Sequence, residues 1–243
     1  MNRIVYMVIK NCFRAPRWFY NLFKFAREDD DHTEQERFDY IKNMVKTINR
    51  TGNVSIEVHG VENLPEENGF VMFPNHQGLY DSLALIQASP KPFGIVIKKE
   101  AYNIILIKQV IDVVRGLTLD REDPRDAIRV IKSITEAVKS GRNFVIFPEG
   151  TRSRKGNELL DFKPGTFKCA VSAKCPIVPV ALINSFKPFD VSSIKKETVQ
   201  VHFLEPIQYE QYMGMKTPEI AHLVHDKIQE KINKLISKKL LTN

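Results

Sequence analysis

The chain reads as an α/β protein: a mixed sheet flanked by helices on both faces, preceded by an N-terminal amphipathic two-helix element. Three observations carry that expectation. From residue 54 onward, seven short β-rich segments alternate with segments of helical periodicity, the pattern that layered α/β folds produce. Before residue 50 no strand pattern occurs, and apolar residues instead recur at helical spacing. With 243 residues, 43% hydrophobic and 27% charged, the chain is long and apolar enough to bury a core and does not have a disordered composition. The boundary between the two parts falls near residue 50, giving segments 1–50 and 51–243.

Residues 3–26 read as helix, with a break or bend at Pro16. The acidic run Glu28-Asp29-Asp30-Asp31 reads as a turn that starts the next helix. That helix runs from Thr33 to Asn49, with Phe38, Ile41, Met44, Val45 and Ile48 on a 3.6-residue period. Strands are expected at Val54–Val58, Phe70–Phe73, Phe93–Ile97, Gly116–Leu119, Phe144–Phe147, Val178–Ile183 and Val199–Phe203, most of them bounded by turn residues. The helix before Phe144 has the clearest signals: Asp123 as cap, Pro124 in its first position and Gly141 at its end. Further helices are expected at Ser82–Ala88, Ala101–Val113, Thr166–Ala173 and Pro218–Leu241. The last carries Lys227, Lys231, Lys234, Lys238 and Lys239 on a solvated face.

Lysine and arginine outnumber aspartate and glutamate by 36 to 29, a formal charge of +7, which favours an anionic partner such as nucleic acid or an anionic membrane surface. Its distribution points to the membrane. Residues 1–27 carry Arg3, Lys10, Arg14, Arg17, Lys24 and Arg27 with no acidic residue, interleaved with Trp18, Phe19, Tyr20, Phe23 and Phe25. Basic residues snorkel and aromatic rings settle at a bilayer interface. The apolar run around Val5 to Ile9 is far short of the ~20 residues that span a bilayer. Lys10 and Arg14 interrupt the apolar region a secretory signal would need. The competing reading is an amphipathic helix packed on the protein's own core. Cys12, Cys169 and Cys175 form no Cys-x-x-Cys pair, so neither a disulfide framework nor a zinc site is expected, and a reducing, cytosol-facing setting is.

Two motifs carry the chemistry. Asn75-His76-Gln77-Gly78-Leu79-Tyr80-Asp81 lies between a buried strand and a helix start. Residues five apart in one continuous helix do not share a face. With His76 on a loop and Asp81 at a helix start, the carboxylate can hold one ring nitrogen and leave the other free to take a proton from a hydroxyl, as the acid of a Ser-His-Asp triad does. On its own, Asp81 reads equally well as a helix cap. The second motif, Phe147-Pro148-Glu149-Gly150-Thr151-Arg152-Ser153, ends another apolar strand and puts a carboxylate, a glycine turn and a guanidinium together. Arginine's planar fork suits phosphate. Lys163 and Gly165 rim the same cleft in this reading, and Arg121, lying between the motifs, is a candidate ligand. No Gly-x-Ser-x-Gly turn is present, which argues against a lipid hydrolase, and no nucleic-acid-binding motif is found.

These residues resemble the glycerolipid acyltransferase family that includes the 1-acylglycerol-3-phosphate acyltransferases. His76 to Asp81 is similar to the family's His-x4-Asp block, Gly116 to Arg121 to the block whose final arginine contacts substrate, and Phe147 to Arg152 to the Glu-Gly-Thr-Arg block. Ile177-Val178-Pro179-Val180-Ala181 is similar to its apolar block with a proline. The resemblance spans roughly residues 55–210. Gly78 and Tyr80 replace commoner choices, and Leu117-Thr118-Leu119 is less aromatic than usual. Lys99 lies where the family often places a phosphate-contacting lysine, a looser match.

What the resemblance implies is concrete. His76 would deprotonate the sn-2 hydroxyl of a lysophosphatidic acid, with Asp81 orienting it, and the oxygen would attack a thioester on acyl-carrier protein or coenzyme A. Arg121, Arg152 and Lys99 would hold the acceptor's phosphate. Glu149, Gly150 and Thr151 would shape the loop or supply the oxyanion amides, with Glu149 ordering the loop or pairing with Arg152. No cofactor or metal is expected, and no nucleic acid partner. The implied location is the cytoplasmic face of a membrane, where the leading helices would make the protein peripheral or monotopic. The same chemistry on glycerol-3-phosphate or another lysophospholipid, or a non-catalytic membrane-binding module, are the alternative readings.

Overall fold

A computed structural model describes residues 2–27, 31–104 and 106–241, with side chains to residue 237. Three helices lead: α1 (Arg3–Asn11), α2 (Ala15–Ala26) and α3 (Glu34–Thr51). Then β1 (Val54–His59), β2 (Val71–Pro74), α4 (Asp81–Ala88), β3 (Gly94–Lys98), α5 (Ile107–Val113), β4 (Leu117–Leu119), α6 (Pro124–Lys139), β5 (Phe144–Val145) and α7 (Lys168–Ala173) follow. The chain continues through β6 (Ile177–Ile183), α8 (Lys187–Asp190), β7 (Glu197–Phe203) and α9 (Tyr209–Tyr212) to α10 (Thr217–Leu241). All seven expected strands form one sheet, ordered β1-β7-β6-β2-β5-β3-β4. It is mixed: β6, β2, β5, β3 and β4 run parallel, whereas β7 is antiparallel to β6 and parallel to β1.

Strand alternation sorts the core into two layers. Met72, Val178, Val180 and Leu182 join one apolar cluster with Phe38, Ile41, Met44 and Val45 of α3 and Ala84 and Leu85 of α4. Val71, Phe73, Ile177, Ala181 and Ile183 join the other, with Val130 and Ile134 of α6, Ala170 of α7 and Val224, Ile228 and Ile232 of α10. Helices therefore cover both faces. The first layer includes Met7 of α1 and Leu22 of α2, so the leading helices and the sheet share one core.

Local signals explain the element ends. Thr33 and Glu36 form a reciprocal capping box that starts α3, and Asp123 caps α6 with Pro124 behind it. Polar ties hold the leading helices down: Arg142 pairs with Glu34 at 2.9 Å, and Arg115 donates to the Ala26 and Arg27 carbonyls at 3.0 and 2.7 Å. Arg3 is fully buried and donates to the carbonyls of Gly52 (2.6 Å), Asn53 (3.2 Å) and Lys195 (2.7 Å). Its burial lowers its pKa from the usual guanidinium value.

Several expectations are corrected. The break between α1 and α2 falls at Cys12–Arg14, and Pro16 sits in the first turn of α2, where its missing N–H leaves no bond unmade. The segment 101–113 is not one helix: a 3₁₀ turn covers Lys99–Asn103, and Leu106 at φ +78 precedes α5. Arg3 is not an interface residue, because it points into the core. Of the five aromatics from Trp18 to Phe25, Tyr20 and Phe23 are exposed while Trp18 and Phe25 pack on the core. The turn at Glu28, Asp29 and Asp30, and the side chains of Lys238 and Lys239, lie outside the described residues.

Candidate active site

His76 and Asp81 meet at the carboxyl ends of the parallel strands, the edge where open α/β sheets place their ligands. Pro74 closes β2, and Asn75 turns the chain by bonding both polar groups of the Leu182 backbone, its Oδ1 accepting at 2.7 Å and its Nδ2 donating at 3.1 Å. His76 Nδ1 then lies 2.7 Å from Asp81 Oδ2. Asp81 is completely buried, and the His76 side chain keeps 17% of its surface. The buried carboxylate also accepts the Gln77 N–H at 2.7 Å and the Gly78 N–H at 3.0 Å on the same oxygen. Nδ1–H donating to a carboxylate leaves Nε2 as the unprotonated, accepting nitrogen. Nε2 has no hydrogen-bond partner among the described residues. The ring stacks on Phe147 at 4.1 Å, which fixes the direction in which Nε2 points.

The loop after β5 wraps the backbone of His76. Glu149 Oε1 accepts the His76 N–H at 2.7 Å, and its Oε2 accepts the Leu160 N–H at 3.2 Å. The Ser153 N–H closes the loop on the His76 carbonyl at 2.8 Å. Burial, opposed by those two N–H bonds and assisted by the charge of Asp81, pushes the Glu149 carboxyl up to about 7. Glu149 makes no ion pair with Arg152, so its role in this loop is to tie segments together. Gly150, at φ +69, needs its freedom: a Cβ there would lie 2.7 Å from Lys163 Nζ, because the lysine stem crosses the glycine.

The Gly150 N–H bonds the Phe147 carbonyl at 3.1 Å, which removes it as an oxyanion donor. The Thr151 and Arg152 amides have no acceptor among the described residues. Arg152 is half-buried and Arg121 exposed, and neither side chain bonds or ion-pairs with a described residue. Lys99 is exposed and 3.2 Å from Asp120.

The expected residues share one edge but are not equally close. Glu149 and Arg152 follow β5, the immediate neighbour of β2. Lys99 follows β3 and Arg121 follows β4, the latter three strands from β2, or ~14 Å at the usual strand spacing. Sequence reasoning missed the polar groups behind the dyad. Gln77 Nε2 donates to the Leu182 carbonyl and to Asn157 Oδ1, each at 2.9 Å, and the Ser185 hydroxyl reaches Asp81 Oδ1 at 2.6 Å. The available signal was a run of uncharged polar residues beside each apolar strand: Asn75 and Gln77 around the histidine, and Asn184-Ser185 just after β6. A cleft of about 680 Å³, lined by His59, His202, Lys227, Lys231 and Lys234 among others, opens at the opposite edge and includes neither dyad residue.

A buried carboxylate holding an imidazole whose second nitrogen is free, next to a glycine turn and an unpaired guanidinium, is equipment for general-base acyl transfer. The family model for Acyltransferase matches residues 55–183, and the chain belongs to that family. It is similar to the 1-acyl-sn-glycerol-3-phosphate acyltransferase of Escherichia coli (strain K12), 31% identical over 166 residues that cover 68% of this chain and 67% of that one. The protein of the same name from Cocos nucifera is 30% identical over 171 residues, 68% of this chain and 55% of the other. The chain spans about half the length of the plant relatives it matches. The fold is that of the 1-acyl-sn-glycerophosphate (LPA) acyltransferase PlsC from Thermotoga maritima, with a TM-score of 0.75, 22% identity, and coverage of 97% of this chain and 98% of that one.

Proposed function

We propose that this protein transfers a fatty acyl group from a thioester, on acyl-carrier protein or coenzyme A, to the sn-2 hydroxyl of lysophosphatidic acid, giving phosphatidic acid. The observation that carries this reading is the 2.7 Å contact between His76 Nδ1 and buried Asp81, beside the loop that presents Arg152. Nε2 takes the hydroxyl proton as the oxygen attacks the thioester carbonyl. Asp81 stabilises the imidazolium that forms. The tetrahedral intermediate then collapses, the carbon–sulfur bond breaks, and the proton passes from His76 to the departing sulfur. The acceptor oxygen attacks directly, so no enzyme nucleophile is required.

Arg152, nearest the dyad, holds the acceptor's phosphate as a charge-assisted pair, with Arg121 and Lys99 further along the same edge. Thr151 and Arg152 amides are the oxyanion donors in this reading, and Glu149 shapes the loop that presents them. The relatives' names support the acceptor; the donor rests on the chemistry alone. Incubating the purified protein with detergent-dispersed lysophosphatidate and each thioester tests the assignment. Phosphatidate formed from one donor supports it and identifies the donor, whereas acylation of glycerol-3-phosphate in preference to lysophosphatidate would replace it.

Residues 1–50 serve, in this account, as a docking element on an anionic membrane surface at its cytoplasmic face. No helix among the described residues is long and apolar enough to cross a membrane. Support comes from α1, α2 and the turn between them, where Val5, Val8, Ile9, Phe13, Tyr20 and Phe23 stand 50 to 97% exposed, next to exposed Lys10, Arg14, Arg17 and Lys24. Apolar side chains in such number on a solvent face mark an interaction surface.

A further inference from the structure

Asp81 is gripped from a side that the proton transfer itself does not use. Ser185 lies completely buried in the turn after β6, and its hydroxyl donates to Asp81 Oδ1 at 2.6 Å. Oδ2, on the other side, serves His76 and the Gln77 N–H, both at 2.7 Å. The Gly78 N–H is shared between the two oxygens at 3.1 and 3.0 Å. Ser185 is thus the one side chain besides His76 that bonds Asp81 among the described residues. It also makes the shortest contact to Oδ1.

The Ser185 hydroxyl has a second neighbour, Gln77 Oε1 at 2.9 Å, and that oxygen also accepts the Ser185 N–H at 2.8 Å. A hydroxyl has a single proton, and an ionised carboxylate is a stronger acceptor than an amide oxygen. The proton therefore belongs to Asp81. Gln77 in turn fixes the serine backbone and is itself held by Asn157 and the Leu182 carbonyl at 2.9 Å. The serine is a rigid donor aimed at the far oxygen of the carboxylate.

We propose that Ser185 is a positioning residue for acyl transfer, acting through Asp81. Its proton holds the plane of the carboxylate so that Oδ2 stays in line with His76 Nδ1, and it draws off part of the negative charge that the imidazole sees. This rests on the dyad reading above. It concerns a segment 104 residues away from Asp81 in sequence, outside the residues that the resemblance marks as reactive.

Steady-state kinetics of Ser185→Ala, in protein whose urea midpoint is measured alongside, test the proposal. The expected result is a roughly tenfold or greater fall in kcat with KM for acceptor and donor unchanged within about twofold. The acidic limb of the pH–rate profile should move to higher pH, because a carboxylate that has lost a donor pulls harder on the imidazole proton. Ser185→Thr, which keeps the hydroxyl, should recover most of the rate. A double-mutant cycle separates this from packing: in the Asp81→Asn background, Ser185→Ala should cost less than about twofold more. Should Ser185→Ala not fold, Ser185→Cys, similar in size with a weaker donor, replaces it in the same cycle. Unchanged kcat, or an equal cost with and without the Asp81 carboxylate, overturns the proposal. Near-normal activity in folded His76→Ala would instead remove the dyad reading itself, so the two failures are distinguishable.

Discussion

The proposed catalytic edge and the leading helices break the burial rule in opposite directions. At the edge, polar and ionisable groups are inside: Asp81, Gln77, Glu149 and Ser185 are all buried, and each is hydrogen-bonded. On α1, α2 and the turn joining them, apolar groups are outside, with Phe13 97% and Val8 64% exposed. Buried polar groups are costly unless paired, and exposed apolar clusters are costly unless something covers them. In the first region the protein supplies the partners itself and gains a fixed geometry. In the second, on the proposed docking role, the partner comes from outside. On the proposed reading, a site for chemistry and a site for docking differ in where their missing contacts are found.

The largest expected effect is at the edge. Asp81→Asn removes the charge that holds and stabilises the imidazolium, and kcat should fall by up to ~10⁴, the loss seen when a triad aspartate is amidated. A fall smaller than about tenfold in folded protein would show that His76 works without its carboxylate. Arg152→Ala should raise the acceptor KM by roughly one to two orders of magnitude, corresponding to ~1.5–3 kcal/mol for a charge-assisted contact. Arg121→Ala, three strands away, should raise it less. Equal effects would place the phosphate nearer β4 than to the dyad.

Glu149 tests the edge through stability rather than rate. Its carboxyl is raised from its ordinary 4.5 to about 7 by burial. The native state thus binds more protons than the unfolded chain in that window. Stability contributed by the neutral carboxyl is complete below about 4.5 and is lost as pH rises through about 7. The total is on the order of 3 kcal/mol, at about 1.4 kcal/mol for each pH unit between the two values. Urea unfolding from about pH 4 to about pH 8 should show the stability of the unsubstituted protein falling relative to that of Glu149→Gln. Parallel curves would remove Glu149 as the cause.

The smallest effects belong to the docking surface. Replacing Phe13 and Val8 by serine should weaken pelleting with anionic vesicles at any salt, because apolar burial is insensitive to screening. Charge reversal at Arg14 and Arg17 should weaken it at low salt and much less at high salt, with basic residues worth about 1 kcal/mol each near the surface. Full pelleting by both variants would move docking elsewhere on the chain.

The sheet and the dyad were legible because their signals are local. Seven strands stand out as short β-rich runs, and the five-residue step from His76 to Asp81 can be read as a loop meeting a helix start. What escaped depends on contacts distant in sequence. Nothing around Arg3 says that it will bond the carbonyls of Gly52, Asn53 and Lys195. The polar pair Asn184-Ser185 is visible after β6, but nothing in the sequence says that Ser185 will reach Asp81. The helix expected over 101–113 fails because its apolar spacing is continuous while the backbone turns through Leu106 at positive φ. Likewise Pro16 reads as a breaker in the sequence but starts a helix in the fold, a position that proline tolerates as readily.

The central claim, that His76 is the general base, is tested most directly by acyl transfer to lysophosphatidate in His76→Ala protein whose fold is verified by circular dichroism and urea midpoint. A native fold is expected, since His76 lies on a loop and its backbone contacts with Glu149 and Ser153 survive the change. A fall in kcat of at least ~10⁴ is expected from it, leaving only the residual rate that the oxyanion amides and phosphate contacts supply. Near-normal turnover by folded His76→Ala protein would contradict the mechanism outright.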